Sequence, residues 1–152
     1  MNPIKHIRGK HKWLDMSFSG KRYKRVSSEN VDELIKASNS NENLIQMLKS
    51  NAPIFSFTRL DEKTFEFRLE VPDKIMSHKL VLGEEVEMSR RDGSKVKIVY
   101  SLEGDNVMKQ VITPREGKKA YFTREFYEKG GKMTIQVDGT DIIATVFYEQ
   151  IE

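Results

Sequence analysis

Apolar and polar residues alternate with a period of two along most of the chain after residue 53. The clearest stretch is TFEFRLEV, where Phe65, Phe67 and Leu69 fall on one side and the charged residues between them fall on the other. Turn sequences rich in Gly, Asp and Asn separate such stretches: LDEK, VPDK, RRDGSK, EGDN, TPREGK, EKGGK and VDGTD. The pattern predicts about nine consecutive antiparallel strands.

A helical period replaces this alternation between residues 30 and 50. The segment VDELIKA follows Asn30, a residue type that caps helices, and the segment LIQMLKS follows the polar turn SNSNEN. The apolar residues of each segment fall on one helical face: Val31, Leu34 and Ile35 in the first, and Leu44, Ile45 and Leu48 in the second. Helices this short are not stable alone, so we expect both to pack against the strands.

One more strand, SFSGKRYKRVSS, precedes the helices, which brings the expected total to ten. Short strands with hairpin turns favour an antiparallel up-and-down barrel, also called a β-clam. Ten strands enclose more space than the ~8-strand barrels whose side chains just fill the interior, so we expect a cavity with the helix pair as its lid. We expect residues 17–152 to form this single all-β domain and residues 1–16, which show no clean period, to form an N-terminal extension.

Three of the predicted strands place polar side chains on otherwise apolar faces. These faces consist of Ala120, Phe122, Arg124 and Phe126; of Met108, Gln110 and Ile112; and of Ile142, Ala144, Val146 and Tyr148. An unpartnered guanidinium in a dry interior costs several kcal/mol, so an inward Arg124 must meet water, an acidic side chain or an anionic ligand. An arginine on a strand more commonly points to solvent or pairs with a nearby glutamate, and Tyr148 is equally well interpreted as a packed aromatic.

Composition narrows the possible chemistry. The chain has 152 residues and no cysteine, which excludes a disulfide scaffold, a thiolate metal site and a cysteine nucleophile. No apolar run approaches the roughly 20 residues of a membrane helix or forms a signal peptide, so we expect a cytoplasmic protein. No nucleophile elbow, phosphate loop or HExxH motif occurs, and the three histidines, His6, His11 and His78, are scattered. We therefore expect no catalytic residues, no metal and no cofactor.

The net charge of +3 is unevenly distributed along the chain. Residues 1–25 hold eight basic residues and one acidic residue, which leaves 18 basic and 22 acidic residues in the rest. A basic arm with Trp13 is typical of a segment that lies on an anionic membrane, and also of one that binds nucleic acid; a solvated tail is the third interpretation. The candidate membrane contacts of the arm and the helices are Lys5, Arg8, Lys10, Lys12, Lys36 and Lys49.

Three segments, taken together and in this order, form a pattern that is specific to one protein family: KRYKRVSSENVDELIKA, KLVLGEEVEMSRRDGSKVKIVYSLEGDNVMKQ and FTREFYEKGGKMTIQVDGTDIIATVFYE. Together they resemble the intracellular lipid-binding proteins, the fatty-acid-binding and cellular retinoid-binding family of the calycin superfamily. The resemblance runs from about residue 17 to residue 152 and implies a ten-stranded barrel beneath a helix-turn-helix lid. It also implies a monomeric, non-catalytic carrier of long-chain fatty acids or similar hydrophobic molecules.

The resemblance implies positions for the ligand as well. The family's fatty-acid binders hold the carboxylate with an arginine on the eighth strand and an Arg-x-Tyr sequence on the tenth. Arg124 matches the first arginine, Tyr148 matches the tyrosine, and Gln110 matches a polar residue that lines the cavity. Val146 stands where the second arginine is expected, which leaves open a neutral lipid such as a sterol or retinoid. The implied cavity lining is Met108, Phe122, Phe126, Ala144 and Val146, and the implied portal is Leu34, Ile35, Leu44, Ile45 and Leu48.

Overall fold

The computed structural model describes residues 18–38, 54–71, 74–89, 93, 95–114 and 118–151. Its strands are β1 (Arg22–Glu29), β2 (Ile54–Arg59), β3 (Thr64–Val71), β4 (Lys74–Val81), β5 (Val86–Ser89), β6 (Lys95–Glu103), β7 (Val107–Pro114), β8 (Ala120–Phe126), β9 (Gly130–Val137) and β10 (Ala144–Ile151). The helix α1 (Val31–Ser38) follows β1. The ten predicted strands and the first predicted helix are thereby confirmed.

Two parts of the sequence prediction lie outside the described residues. One is the second helix, with Leu44, Ile45, Leu48 and Lys49. The other is the N-terminal arm, with Lys5, Arg8, Lys10 and Lys12. The functions proposed for these two segments stay predictions.

The ten strands form one antiparallel sheet in the order β4–β3–β2–β1–β10–β9–β8–β7–β6–β5. Pairing of β1 with β10 joins the two ends of the described chain, and β4 and β5 are the two edges. The sheet curls into a nearly closed barrel, because the ring of Phe57 on β2 lies 6.2 Å from the ring of Tyr100 on β6, although five strands separate them in the sheet.

Side-chain alternation along each strand defines the inner face of the barrel. On β8, Ala120, Phe122, Arg124 and Phe126 are buried, and the residues between them are half-buried. Residues that pair across neighbouring antiparallel strands point to the same face. The register therefore extends the inner face from β8 to Met108 and Gln110 on β7 and to Met133 and Ile135 on β9.

Two apolar clusters fill the interior where the described residues pack. The helix cluster contains Val31, Leu34, Ala120, Phe122, Met133, Ile135, Val137, Ala144 and Val146. The aromatic cluster contains Phe18, Tyr23, Phe55, Phe57, Phe65, Leu80, Tyr100, Met108 and Phe126. Since β8 contributes to both clusters, Arg124 lies at the boundary between them, one inner position from Phe122 and one from Phe126.

Helix α1 covers the inner face of β8, β9 and β10. Val31 and Leu34 are buried in the helix cluster, and Ile35 packs against it, as the apolar face of VDELIKA predicts. Asn30 directly precedes α1 with a φ of 60°, and its side-chain amide donates a hydrogen bond of 3.3 Å to the carbonyl oxygen of Ile143. Asn30 therefore links the start of α1 to the segment that enters β10. Within the described residues, no helix is long and apolar enough to cross a membrane.

The first predicted strand begins later than its sequence suggests. Residues 18–20 form a turn, and the amide of Gly20 donates a hydrogen bond of 2.8 Å to the carbonyl oxygen of Phe57 on β2. Gly20 has a φ of 78°, a conformation that favours glycine. This turn directs Phe18 into the aromatic cluster, where its ring lies 4.3 Å from that of Phe126.

Candidate ligand-binding site

Arg124 points into the barrel from the middle of β8. Its residue surface is 6% exposed, so the guanidinium is removed from bulk solvent. Its partners in the register are Met108 on β7 and Met133 on β9, both buried. The interpretation of Arg124 as a solvent-facing arginine is therefore wrong.

Gln110 is the polar partner of Arg124. The Nη1 atom of Arg124 donates a hydrogen bond of 2.8 Å to the Oε1 atom of Gln110, and Gln110 is 7% exposed. The two residues stand on adjacent strands at diagonal positions, since Gln110 pairs with Phe122 in the register. This diagonal places the amide and the guanidinium within reach of each other on the inner face.

The charge of Arg124 is not neutralised by a protein carboxylate within the described part of the chain. None of the ion pairs among those residues includes Arg124, and its Nε is buried without a hydrogen-bond partner. Burial lowers the pKa of Arg124, and the neighbouring Tyr100 and Tyr148 raise it only in part. A buried guanidinium with a free donor is a site that favours an incoming anion.

Aromatic rings surround the guanidinium instead. The Cζ atom of Arg124 lies 5.5 Å from the ring centroid of Phe57, 5.8 Å from that of Phe55, and 6.0 Å from those of Phe67 and Phe122. A cation above an aromatic face gains electrostatic energy of about 0.5–2 kcal/mol per ring, which offsets part of the desolvation. The same rings form an apolar wall on which a hydrocarbon chain can pack.

Tyr100 is a polar neighbour that the sequence analysis did not identify. It is 5% exposed and stands on the inner face of β6 directly opposite Gln110. Burial raises the pKa of Tyr100, whereas Arg124 and the side chain of Gln110 lower it, which is the effect of a positive charge and of a donor near the phenol oxygen. The oxygen of the Gln110 amide accepts the hydrogen bond from Arg124, which leaves the amide nitrogen as a donor.

Tyr148 approaches the same region from β10. It is half-buried, packs against both clusters, and its ring lies 4.7 Å from that of Phe55 in an edge-to-face arrangement. Burial raises the pKa of Tyr148, and the nearby Arg124 and Arg25 lower it. The structure therefore gives Tyr148 a packing role and also places it within the electrostatic influence of Arg124.

The residues predicted to line a cavity all lie on the inner face. Met108, Phe122, Phe126, Ala144 and Val146 are each at most 4% exposed. Val146, at the position of the family's second arginine, is part of the helix cluster, so it supplies apolar surface where a second charge was expected. Of the predicted portal residues, Leu34 is buried, Ile35 is partly buried, and Lys36 is exposed on the same helix.

The inner face becomes accessible at the two edge strands. Met76 on β4 pairs with Leu69, and Val86 on β5 pairs with Ile98, so both side chains belong to the inner face. Met76 is nevertheless 43% exposed and Val86 40% exposed. Solvent therefore reaches the barrel interior between β4 and β5.

Comparison with known proteins gives consistent similarities. No family model matches the chain. The liver fatty acid-binding protein of Mus musculus is 37% identical over 105 residues, which are 69% of this chain and 79% of that protein. Cellular retinoic acid-binding protein 1 of Takifugu rubripes is 29% identical over 136 residues, which are 87% of this chain and 96% of that protein. The solved structure of the Schistosoma mansoni fatty acid binding protein in complex with arachidonic acid has a TM-score of 0.74 and 23% identity, covers 91% of this chain and 98% of its own, and shows the shared fold.

Proposed function

The chain belongs to the family of fatty-acid-binding and cellular retinoic-acid-binding proteins, and on this premise we propose that it binds and transports long-chain fatty acids or similar hydrophobic carboxylates inside its barrel. The observation that carries the proposal is the buried guanidinium of Arg124, which has a free Nε and no carboxylate partner within the described residues. A ligand carboxylate would supply the missing acceptor.

Each polar residue around Arg124 has a role in this proposal. The guanidinium donates hydrogen bonds to the carboxylate, because its fork of donors matches the two carboxylate oxygens. Tyr100 would donate its hydroxyl proton to the ligand from its position opposite Gln110. Tyr148 is a further donor at the same end of the ligand.

The hydrocarbon part of the ligand supplies most of the affinity. Each buried CH₂ contributes about 0.8 kcal/mol, and the aromatic rings around Arg124 offer an apolar surface for the first carbons. Val146 supplies apolar surface where a second arginine was expected, and Arg124 is the only buried arginine among the described residues, so one carboxylate is the matching charge. The relatives named above are fatty acid-binding and retinoic acid-binding proteins, and we assign no catalytic step to this chain.

Three further parts of the proposal concern the whole protein: its location, its oligomeric state and its contact with membranes. We infer a cytoplasmic monomer that meets anionic membranes transiently while it loads or releases its ligand. The exposed Lys36 on α1 supports such a contact, and the basic arm of residues 1–16 would add to it by its charge. Removal of the arm should weaken binding to anionic liposomes and leave ligand affinity in solution unchanged.

Substitution of Arg124 by leucine tests the head-group assignment. We expect Arg124→Leu to weaken oleic acid binding by roughly 10- to 100-fold, because charge-assisted hydrogen bonds contribute ~1.5–3 kcal/mol. Binding of oleyl alcohol, which lacks the carboxylate, should change by less than about threefold. Displacement of a fluorescent fatty acid measures both affinities.

Arg68 provides the matched control. It is an exposed arginine on β3, between the inner-face residues Phe67 and Leu69, so it points to the outer face of the same sheet. Arg68→Leu should leave both affinities unchanged. Equal losses of acid and alcohol in the Arg124 variant would show that Arg124 does not bind a carboxylate.

A further inference from the structure

His78 is a second polar group on the inner wall. It pairs with Phe67 on β3, whose side chain packs against the aromatic cluster, so His78 also faces the interior from β4. Its Nε2 is buried and has no hydrogen-bond partner among the described residues. Burial lowers the pKa of His78, and the imidazole is therefore neutral at neutral pH.

His78 and Arg124 flank the same aromatic ring. The ring centroid of Phe67 lies 5.5 Å from that of His78 and 6.0 Å from the Cζ atom of Arg124. The distance between the His78 ring centroid and the Cζ atom of Arg124 is therefore at most the sum of these two distances. That span is shorter than the extended chain of a long-chain fatty acid, so one ligand can contact both residues.

The position of His78 between the edge and the core places it beside the path of a ligand. Along the inner face of β4, Met76 is 43% exposed, His78 is half-buried, and Leu80 is 3% exposed. A chain that extends from Arg124 towards the accessible end passes the imidazole. A plain hydrocarbon at this point leaves Nε2 without a partner, whereas a neutral oxygen on the chain satisfies it.

We propose that His78 binds a neutral oxygen in the middle of a ligand chain, a hydroxyl, keto or epoxide group, and thereby selects oxygenated fatty acids according to the position of that oxygen. The proposal rests on the proposed function, because Arg124 fixes the carboxyl end and so sets the distance to His78. A neutral imidazole offers either a donor or an acceptor at Nε2, depending on its tautomer, and it therefore suits a hydroxyl in both forms.

The test uses stearic acid and a series of hydroxystearic acids that differ only in the position of the hydroxyl. Isothermal titration of the wild-type protein should show an affinity maximum at one mid-chain position, about tenfold above isomers whose hydroxyl lies elsewhere, because burial of a hydroxyl without a partner is unfavourable. His78→Phe should abolish the maximum and leave stearic acid affinity unchanged. His78→Gln, which keeps a donor and an acceptor, should retain part of the maximum.

The possible outcomes separate this proposal from the one on which it rests. A flat series in the wild-type protein would overturn the role of His78, and so would a His78→Phe variant that weakens stearic acid as much as the preferred isomer. Urea unfolding of both His78 variants verifies that they fold. An Arg124→Leu variant that keeps full affinity for stearic acid and the same positional maximum would overturn the head-group assignment and support the contact at His78.

Discussion

At the scale of single residues, the central feature is a buried cation that no acidic side chain neutralises within the described residues. Among those residues Arg124 donates one hydrogen bond, of 2.8 Å, to Gln110, and four aromatic rings lie within 6.0 Å of its Cζ atom. Tyr100 stands directly opposite Gln110, so the guanidinium, the amide and the phenol are neighbouring polar groups on the inner face. The bond to Gln110 holds the guanidinium in place before a ligand arrives.

Substitution of Tyr100 tests whether these neighbouring polar groups act together in ligand binding. Tyr100→Phe should weaken oleic acid binding about fivefold, since it removes the hydroxyl proton offered to the carboxylate. The loss should be smaller when Arg124 is already leucine, because residues in one network are not additive. The measurement is a double-mutant cycle by fluorescent ligand displacement. Tyr127, which is 50% exposed, gives the control variant Tyr127→Phe, and full additivity would show that the two residues act separately.

A second buried phenol makes stability depend on pH. Tyr23 is 1% exposed, its hydroxyl has no hydrogen-bond partner within the described residues, and burial raises its pKa to about 12 from an ordinary value of 10.0. Because burial disfavours the ionised phenol in the folded state, the stability is at its full value below pH 10 and falls as the pH rises from 10 towards 12. The free energy of unfolding should therefore fall over this interval.

Tyr23→Phe is the variant that checks this dependence. It should reduce the alkaline loss and raise the free energy of unfolding at pH 7 by about 1 kcal/mol, since it removes a buried hydroxyl without a partner. Urea unfolding at several pH values measures both effects, with Tyr127→Phe again as the control. An unchanged alkaline profile in the Tyr23 variant would show that other groups cause the loss.

Arg124 was predictable from sequence because alternation is a local property. KAYFTREF alone places it on an apolar face, and its burial confirms that orientation. Its bond to Gln110 was not predictable, because it depends on how β7 and β8 align. Tyr100 and His78 were missed for the same reason, because neither residue stands out in its own strand sequence. Only the register of the strands places Tyr100 beside Gln110 and His78 beside Phe67.

At the scale of elements, α1 depends on the barrel for its stability. It has eight residues, too few for an isolated helix, and its buried side chains are Val31 and Leu34. Asp32 and Glu33 in its first turn interact favourably with the positive end of the helix dipole, but this adds only about tenths of a kcal/mol to the stability of the helix. Packing on β8, β9 and β10 therefore determines whether the helix forms.

Leu34→Ala measures this dependence. The variant should lower the free energy of unfolding by about 2–4 kcal/mol, because it removes buried methyl groups and leaves a space in the helix cluster. Chemical denaturation gives the value directly. Lys36→Ala, on the exposed side of α1, should change it by less than about 0.5 kcal/mol. A loss for Leu34→Ala as small as this control would show that the helix does not stabilise the barrel.

Strand β9 depends on two glycines at its start. A Cβ atom on Gly130 would lie 2.6 Å from the carbonyl oxygen of Tyr148, and one on Gly131 would lie 2.6 Å from the carbonyl oxygen of Glu125. The EKGGK sequence was predicted to be a turn, whereas its two glycines already belong to β9. The close approach of three backbones at these glycines is a tertiary feature, which the sequence pattern does not contain. Any larger residue would push β9 away from β10 or β8 and displace Tyr148 or Arg124 with it.

At the scale of the whole molecule, the strands of the barrel differ in how well their backbone amides are protected from solvent. Strands β8 and β9 are hydrogen-bonded to a neighbouring strand on both sides, and nearly every second residue in them is buried. Strands β4 and β5 are the edges of the sheet, and most of their residues are exposed. Backbone amides that are exposed and paired on one side open at low free energy. The accessible region between β4 and β5 is therefore also the least stable part of the sheet.

Hydrogen exchange should reveal this inequality. In the ligand-free protein, amides of β4 and β5 should exchange faster than those of β8 and β9, and bound oleic acid should slow exchange in β4 more than in β9 because the ligand passes His78 and Met76. Exchange followed by mass spectrometry resolves the strands. Uniform protection of all strands would contradict an entrance between β4 and β5.

The two edge strands, β4 and β5, affect how copies of this protein interact in concentrated solution. Along the described residues, β4 and β5 each leave a row of backbone donors and acceptors without a neighbouring strand, and such rows can recruit an identical strand from another molecule. Two copies that pair through β4 would bring Lys74 and Lys79 close to the same lysines of the second copy, and like charges oppose such a pairing. Ile75, which is 56% exposed between those lysines, would otherwise favour association. Neutral substitutions of Lys74 and Lys79 would therefore favour aggregation of the protein through β4.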